Sequence, residues 1–230
     1  MAKRKLQRFA EITTFSNVFQ HSQHEQKIND FKLKGKWNKE YFKNEHPIII
    51  ELGCGKGEYT VGMAEKFKEK NFIGIDLKGN RIWRGAKTAL ENKMENVVFL
   101  RSRIENIETI FARDEVSEIW ITFPDPQPQE SREKKRLTSI PFFNRYKKLL
   151  KPNGLIHLKT DNAPFYQYTI EKIRELQFNL IYATDNLYHE NEKEIEELKL
   201  SEVLSIKTFY EKKFSDLGFK ICYLKFSFHK

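Results

Sequence analysis

The sequence predicts an α/β protein with a doubly wound, mostly parallel seven-stranded sheet and an antiparallel C-terminal strand. Between residues 48 and 176, short apolar stretches alternate five times with segments of helical periodicity. This alternation is the pattern of repeated βαβ units. A glycine-rich turn follows the first apolar stretch directly. After residue 178 the order changes to strand, helix and long final strand, which indicates a sheet completed by an inserted antiparallel strand.

Each element follows from the residues in order. Three prolines at positions 124, 126 and 128 exclude a regular element there and indicate a rigid loop. The acidic stretch 190–200 is predicted as a solvated face. Strands are predicted over 48–52, 72–76, 97–100, 118–123, 155–159, 179–184 and 219–228, and helices over 58–70, 80–92, 104–111, 142–150, 164–176 and 203–217.

Composition favours a polyanionic partner. The 230-residue chain has a net charge of +9, with 32% charged and 39% hydrophobic residues. Such an excess of cations favours nucleic acid as the partner, although a proteome that is generally rich in lysine would give the same net charge. No apolar stretch approaches the roughly 20 residues of a membrane helix, and no secretory signal is present. We therefore expect a cytoplasmic protein without membrane association. The two cysteines and six histidines lack metal-ligand spacing, so no metal is expected.

The chain is predicted to divide at residue 46. Residues 1–46 form a basic N-terminal extension that is partly mobile, and residues 47–230 form the α/β domain. Cations at the tip of the extension suit RNA phosphates, and aromatic residues between them could stack on bases. For Trp37, Tyr41 and Phe42 we instead prefer a short helix that packs on the domain.

The turn after the first strand discriminates between cofactors. A dinucleotide fingerprint needs Gly-x-Gly-x-x-Gly, but here the third glycine comes one residue early and Glu58 takes its place. An acid there disfavours a pyrophosphate. S-adenosylmethionine has no phosphate and carries a sulfonium and an ammonium, which suit an acid before the turn. A second acid, at the end of the second strand, suits its ribose hydroxyls. The expected cofactor-binding residues are Glu51, Gly53, Gly55, Gly57 and Asp76; a tight turn without a ligand is the alternative.

Two later loops at the same sheet edge carry carboxylates. Asp125 stands on the proline-stiffened loop, where a preorganised group favours catalysis. Asp161 follows the fifth strand, where it could instead cap the next helix. Guanine presents its N1–H and N2–H₂ donors together, so two acceptors suit that edge, and we expect both aspartates to be catalytic. Four neighbouring cations are predicted to hold RNA phosphates, unless they are a solvated charge run: Arg132, Lys134, Lys135 and Arg136.

These motifs, in this order, resemble those of the bacterial tRNA (guanine-N7-)-methyltransferases, from about residue 35 to the end of the chain. The resemblance is carried by residues 51–57, 74–79, 123–126, 135–137, 159–161 and 208–211. It implies a Rossmann-like class I methyltransferase. The implied reaction transfers a methyl group from S-adenosylmethionine to N7 of a guanosine in the tRNA variable loop, at the conventional position 46.

The resemblance also implies roles for single residues. Thr208 and Glu211 become substrate contacts, and Asp125 contacts the cofactor as well as the base. Two positions depart from the family pattern. Arg103 is expected at the cofactor's adenine end, where many members have an acid, so backbone or apolar groups would hold the adenine. Gln129 is expected at the substrate, where many members have a lysine, and a lysine at 134 or 135 would compensate.

Two other functions stay open on the sequence alone. One is a methyltransferase that acts on another RNA or on a protein. The other is a non-catalytic RNA-binding module of the same fold, against which the intact acids at 51, 76, 125 and 161 argue. We expect tRNA as the partner, and the chain as a monomer or a homodimer.

Overall fold

A computed structural model of the chain describes residues 2–21, 29–189, 196, 201–208, 211, 212, 215 and 217–228. It shows a single sheet with helices on both faces. The strands are β1 (Val18–Gln20), β2 (Ile48–Leu52), β3 (Asn71–Asp76), β4 (Val97–Arg101), β5 (Val116–Thr122), β6 (Leu150–Thr160), β7 (Asn179–Thr184) and β8 (Cys222–Ser227). The α-helices are α1 (Ala2–Glu11), α2 (Glu58–Lys66), α3 (Gly79–Glu91), α4 (Ile140–Leu149), α5 (Ala163–Glu175) and α6 (Ser201–Leu204).

The sheet has the predicted doubly wound topology. Its strand order is β1-β4-β3-β2-β5-β6-β8-β7. All neighbouring strands pair in parallel except β8, which is antiparallel to both β6 and β7. The chain progresses outward in one direction from β2 to β4 and in the other from β5 onward. The carboxyl ends of β2 and β5 therefore flank the topological switch point, where open α/β sheets bind their ligands.

An eighth strand joins the seven predicted ones. β1 comes from the N-terminal extension and pairs in parallel with β4, with Val18 opposite Phe99. Helix α1 packs against α3, where the Glu11 carboxylate accepts a hydrogen bond from the Trp83 indole at 2.8 Å. Three residues are too few to give a periodic signal, so the sequence does not reveal β1.

The two faces of the sheet bury separate hydrophobic layers. Ile48, Ile50 and Leu52 face α4 and α5, in a layer that also includes the fully buried Trp37. Ile49 faces α2 and α3 on the other side. Trp37 begins the π-helical turn Trp37–Phe42, and its indole donates to the Ile110 carbonyl at 3.2 Å. The predicted short packed helix is therefore confirmed.

Two predicted helices differ in the structure. Residues 104–109 form 3₁₀ turns rather than an α-helix. The helix predicted over 203–217 is not continuous, because α6 ends at Leu204 and residues 206–208 are not helical. The buried Lys159 ammonium donates to the carbonyls of Leu204 and Ile206, at 3.1 and 3.3 Å. Residues 209, 210, 213, 214 and 216, and all of the acidic stretch 190–200 except residue 196, lie outside the described residues.

No helix in the described part of the chain is long and apolar enough to cross a membrane.

Candidate active site

Four strand ends place the predicted site residues along one edge of the sheet. β2, β3, β5 and β6 run in the same direction, so the segments that follow them leave from the same side. At this edge Thr122 of β5 pairs with Lys159 of β6, and the Phe123 backbone N–H donates to the Lys159 carbonyl at 2.8 Å. The loops that carry Asp125 and Asp161 therefore leave the sheet side by side, on the β5 side of the glycine turn.

The glycine turn is anchored to β3 and open on its outer side. The N–H groups of Gly53 and Cys54 both donate to the Ile75 carbonyl, at 2.8 and 3.0 Å. Gly53 and Gly55 have φ of +76° and +56°, the left-handed region that favours glycine. A Cβ added at Gly53 would meet no atom within 4 Å, and at Gly55 only a backbone oxygen at 4.0 Å. The turn thus leaves its backbone accessible to a ligand.

The third glycine has a packing role instead. Gly57 has a φ of +73°, and an added Cβ would lie 2.5 Å from the Phe99 ring. The same residue precedes α2 directly. Gly57 therefore lets the start of α2 pack against β4, while Gly53 and Gly55 are the two glycines that face open space.

Asp76 connects the turn to the end of β3. One carboxylate oxygen accepts the Gly55 N–H at 2.9 Å, and the other accepts the Lys78 N–H at 2.7 Å. Each carboxylate oxygen has a second lone pair, so both remain able to accept from a ligand hydroxyl. Asp76 lies where the sequence predicted it and also fixes the shape of the turn.

A cavity of about 210 Å³ lies beside Asp76 and Gly53. Its lining includes several apolar side chains and, besides Asp76, one acidic and one basic residue. Arg103 is among its lining residues, and so is Glu105, which the sequence analysis did not single out. The lining residues are Gly53, Asp76, Leu77, Ser102, Arg103, Ile104, Glu105, Leu137 and Phe142.

Glu51 is buried beneath the turn, with 2% of its surface exposed. Its carboxylate accepts hydrogen bonds from the hydroxyls of Thr60 in α2 and Thr122 in β5. Burial raises the pKa of Glu51 to about 7, although the two threonine hydrogen bonds act in the opposite direction. Glu51 therefore links β2, α2 and β5 at the switch point. Its burial makes the charged form of the carboxylate unfavourable.

The glycine turn offers no reactive thiol. Cys54 is buried, and burial raises the pKa of its thiol well above the ordinary value, with a further rise from the charges of Glu51 and Asp76. Cys54 is a small buried residue within the tight turn. Within the described residues, no group of three His, Cys, Asp or Glu side chains converges on a point that could hold a metal ion.

The two catalytic candidates differ in their surroundings. Asp125 is exposed, and its Oδ1 accepts the Gln127 N–H at 3.1 Å within the same loop. Asp161 is half-buried at the end of β6. The helix-cap alternative for Asp161 does not hold, because the neighbouring Asn162 caps α5 by accepting the Phe165 N–H at 2.8 Å. The Asp161 carboxylate is thus not used to begin the helix.

The basic stretch after the loop forms the 3₁₀ helix Glu130–Lys135. Arg132, Lys134 and Lys135 are exposed on it, and so is Gln129 just before it. Arg136 differs from these three cations. It is half-buried, and its guanidinium donates to the carbonyls of Gln127 and Pro128, at 3.1 and 3.4 Å.

Glu211 lies in a buried network that the sequence analysis did not foresee. Its Oε1 pairs with the Lys159 ammonium at 2.7 Å, and both side chains are completely buried. The Tyr188 hydroxyl donates to the same oxygen. Thr208 stabilises the turn before Glu211 by accepting the Glu211 N–H at 3.1 Å. Glu211 Oε2 has no hydrogen-bond partner among the described residues.

Sequence reasoning missed Lys159 and Tyr188 as the partners of Glu211. The available signal was a lysine inside an apolar strand, which requires a buried partner. Burial lowers the pKa of Lys159, and the neighbouring Glu211 carboxylate opposes that shift. Nothing in the sequence shows that this partner lies 52 positions along the chain, at Glu211.

Comparisons with known proteins decide the family. The model of a family described as "Putative methyltransferase" matches residues 45–224. A tRNA (guanine-N(7)-)-methyltransferase of Christiangramia forsetii is 51% identical over 225 residues, which cover 98% of each chain. The chain belongs to the tRNA (guanine-N7-)-methyltransferase family. Another relative with this name, from Bacteroides thetaiotaomicron, is 47% identical over 98% of this chain and 86% of its own.

A more distant relative has the same name, and solved structures share the fold. A tRNA (guanine-N(7)-)-methyltransferase of Clostridium botulinum is 38% identical over 84% of this chain and 87% of its own. Among solved structures, an antibiotic-related methyltransferase covers 87% of this chain and 96% of its own, with 14% identity and a TM-score of 0.60. The 16S rRNA methyltransferase KamB covers 91% and 94%, with 13% identity and a TM-score of 0.59. At such identities the two structures show the shared fold alone. The resemblance in the sequence motifs is confirmed, and the roles of single residues stay predictions.

Proposed function

We propose that this chain transfers a methyl group from S-adenosylmethionine to N7 of guanosine in tRNA, and that the guanosine is at position 46 of the variable loop. One observation of the structure carries the proposal. Two carboxylate loops leave adjacent strand ends, beside a glycine turn whose backbone is open to a ligand. Membership of the tRNA (guanine-N7-)-methyltransferase family supports the same reaction.

The residues of the glycine turn fit S-adenosylmethionine. The open backbone at Gly53 and Gly55 allows close approach, and the Asp76 carboxylate has lone pairs for two ribose hydroxyls. The apolar side of the adjacent cavity, formed by Leu77, Ile104 and others, suits an adenine ring. When bound there, S-adenosylmethionine supplies an electrophilic methyl group on a sulfonium.

The chain's own contribution is to orient the acceptor base. Guanine N7 has a free lone pair and no proton, so its attack needs no general base. Asp125 and Asp161 accept hydrogen bonds from the N1–H and N2–H₂ edge, which holds N7 in line for transfer. As the purine becomes positively charged, the two carboxylates also stabilise that charge. The exposed Arg132, Lys134 and Lys135 contact phosphates around the base, with Gln129 beside them.

The test of the reaction uses purified enzyme, labelled S-adenosylmethionine and unmodified tRNA transcripts. Nucleoside mass spectrometry should find 7-methylguanosine, and replacing G46 in the transcript should abolish its formation. Any other methylated nucleoside would exclude the proposed reaction. Product from the transcript without G46 would move the target elsewhere in the tRNA.

The test of the base-reading loop is substitution of Asp125. Asp125→Ala should abolish methylation and leave S-adenosylmethionine binding, measured by calorimetry, within a few-fold of the original. Asp125→Asn keeps the size of the side chain and removes its charge, so it should also lose most turnover. Near-normal turnover in either variant would contradict the role of Asp125.

We further infer that the enzyme acts in the cytoplasm on tRNA, as a monomer or a homodimer. Chromatography with light scattering measures the oligomeric state.

A further inference from the structure

The loop that carries Asp125 has a strained backbone. Phe123 and Gln127 have φ of +47° and +45°, in the left-handed region that side chains other than glycine rarely adopt. The Asp125 side chain itself accepts the Gln127 N–H, at 3.1 Å. Such a conformation persists only where surrounding groups hold it. The position of the carboxylate therefore depends on whatever fixes Gln127.

Arg136 is the side chain that reaches this part of the loop. Its Nε donates to the Gln127 carbonyl at 3.1 Å, and its Nη2 approaches the Pro128 carbonyl at 3.4 Å. The central carbon of its guanidinium lies over the Tyr168 ring, 4.3 Å from the ring centroid. Arginine suits this geometry because its donors form a planar fork that also stacks on aromatic rings.

Tyr168 belongs to α5 and is itself held in place. Its hydroxyl donates to Glu133 in the 3₁₀ helix Glu130–Lys135, at 2.9 Å. One residue further along α5, the Thr169 hydroxyl hydrogen-bonds with that of Thr138 at 2.8 Å, and both threonines are completely buried. The segment that contains Arg136 is thus fixed to α5 on both sides of the arginine.

This arrangement couples the two candidate carboxylates. Helix α5 begins at Ala163, directly after Asp161 and its neighbour Asn162, which caps the helix. Arg136 connects the Asp125 loop to the same helix through Tyr168. We infer that Arg136 is a positioning residue, which sets the Asp125 carboxylate relative to Asp161 by fixing the loop onto Tyr168, and that it does not serve as a phosphate contact. The inference rests on the proposed function, in which both carboxylates read one base.

The decisive variant is Arg136→Lys, which keeps the charge and loses the fork and the stack. A displacement of a reacting group by about 1 Å can cost on the order of 100-fold, so kcat should fall about 10- to 100-fold. The S-adenosylmethionine dissociation constant and the slope of log tRNA affinity against log salt should not change. Arg136→Ala should lose a similar amount of kcat, again with an unchanged slope.

Substitutions of Tyr168 separate the stack from the hydroxyl. Tyr168→Leu removes the ring and should lose kcat as Arg136→Lys does. Tyr168→Phe keeps the ring and loses the hydrogen bond to Glu133, so it should lose clearly less kcat than Tyr168→Leu does. A loss in Tyr168→Phe equal to that in Tyr168→Leu would overturn the assignment to the stacked ring. Arg174→Lys, on the exposed end of the same helix, is the matched control and should leave kcat unchanged.

A different pattern would overturn the inference. If Arg136 binds a phosphate, Arg136→Lys should retain kcat, and Arg136→Ala should weaken tRNA binding and reduce the salt slope by about one. Thermal unfolding of each variant ensures that kcat is compared well below its melting temperature. Failure of the proposed function is a separate result, because it is seen with the unsubstituted enzyme as a product other than 7-methylguanosine.

Discussion

At the scale of single residues, the site contains carboxylates in opposite environments. Glu51 is buried beneath the glycine turn, whereas Asp125 is exposed on its loop. The exposed carboxylate can meet a base edge from solvent. A buried one must be compensated, here by the hydroxyls of Thr60 and Thr122.

Glu51→Gln should change how stability depends on pH. The pKa of Glu51 is raised from 4.5 to about 7 in the folded protein, so folding favours its protonated form. The free energy of unfolding of the original chain should fall as the pH rises from about 4.5 to 7, because the unfolded chain ionises this group first. The variant has no such group and should lack this fall. In urea unfolding without cofactor, the free energy of unfolding of the variant relative to that of the original chain should therefore be about 2–3 kcal/mol higher at pH 8 than at pH 5. The same pH dependence in both proteins would contradict the burial of a charge at this position.

Lys159→Met should destabilise the protein strongly. It removes the counter-charge of the completely buried Glu211 carboxylate and leaves only the hydrogen bond from Tyr188. Breaking a buried ion pair from one side costs about 3–5 kcal/mol. The control is the double variant Lys159→Met/Glu211→Leu, which removes both charges and should recover most of the loss in denaturant unfolding. An unchanged midpoint in the single variant would show that the ion pair carries little stability.

At the scale of elements, the glycine turn divides its work between ligand access and packing. Gly53 and Gly57 have similar positive φ values, +76° and +73°. Only Gly57 has a neighbour, the Phe99 ring, where a Cβ would lie. Two glycines that look alike in the sequence therefore have different consequences when replaced.

Gly57→Ala and Gly53→Ala should separate stability from binding. Gly57→Ala combines a left-handed alanine with a steric clash against a buried ring and should cost about 2–5 kcal/mol in denaturant unfolding. Gly53→Ala meets no protein atom and should cost only about 1–2 kcal/mol, but its methyl group should weaken S-adenosylmethionine binding at least tenfold by calorimetry. Full cofactor affinity in Gly53→Ala would argue against a ligand on this side of the turn.

Most elements could be predicted from the sequence, and the exceptions have specific causes. β2, α3 and α5 follow directly from apolar periodicity. The short strand β1 has too few residues for a pattern. The end of α6 depends on the Lys159 ammonium, which takes two carbonyls there. The helix propensity of a segment does not reflect a hydrogen-bond donor that belongs to a strand distant in the chain.

At the scale of the whole molecule, the N-terminal extension and the C-terminal half build one sheet. β1 lies at one edge, next to β4, and β7 lies at the other. The division at residue 46 therefore falls within a continuous sheet. The net charge of +9 is also a property of the whole chain, whereas the cations proposed to contact phosphates around the base lie beside the Asp125 loop.

The tRNA affinity should depend on salt through those local cations. Replacing Arg132, Lys134 and Lys135 together by alanine should make the slope of log affinity against log salt shallower by about two to three, because each phosphate contact contributes nearly one. The charge-matched control replaces the exposed Lys39, Lys66 and Lys151. Lys39 lies in the turn before β2, Lys66 ends α2, and Lys151 lies at the start of β6, so all three are toward the opposite edge of the sheet. An equal loss of slope in the control would show that net charge, rather than position, attracts the tRNA.

The sequence by itself determined the sheet class, the order of its βα units, and the strand ends that carry Glu51, Asp76, Asp125 and Asp161. These depend on periodicity and on glycine and proline geometry, which are local. Only the tertiary structure decided which of the polar side chains already have hydrogen-bond or ion-pair partners within the protein. It places the Glu51 carboxylate between two threonines, pairs Glu211 with Lys159 and turns Arg136 toward its own loop. The physical reason is that burial and hydrogen bonding depend on partners distant in the chain, which no local pattern encodes.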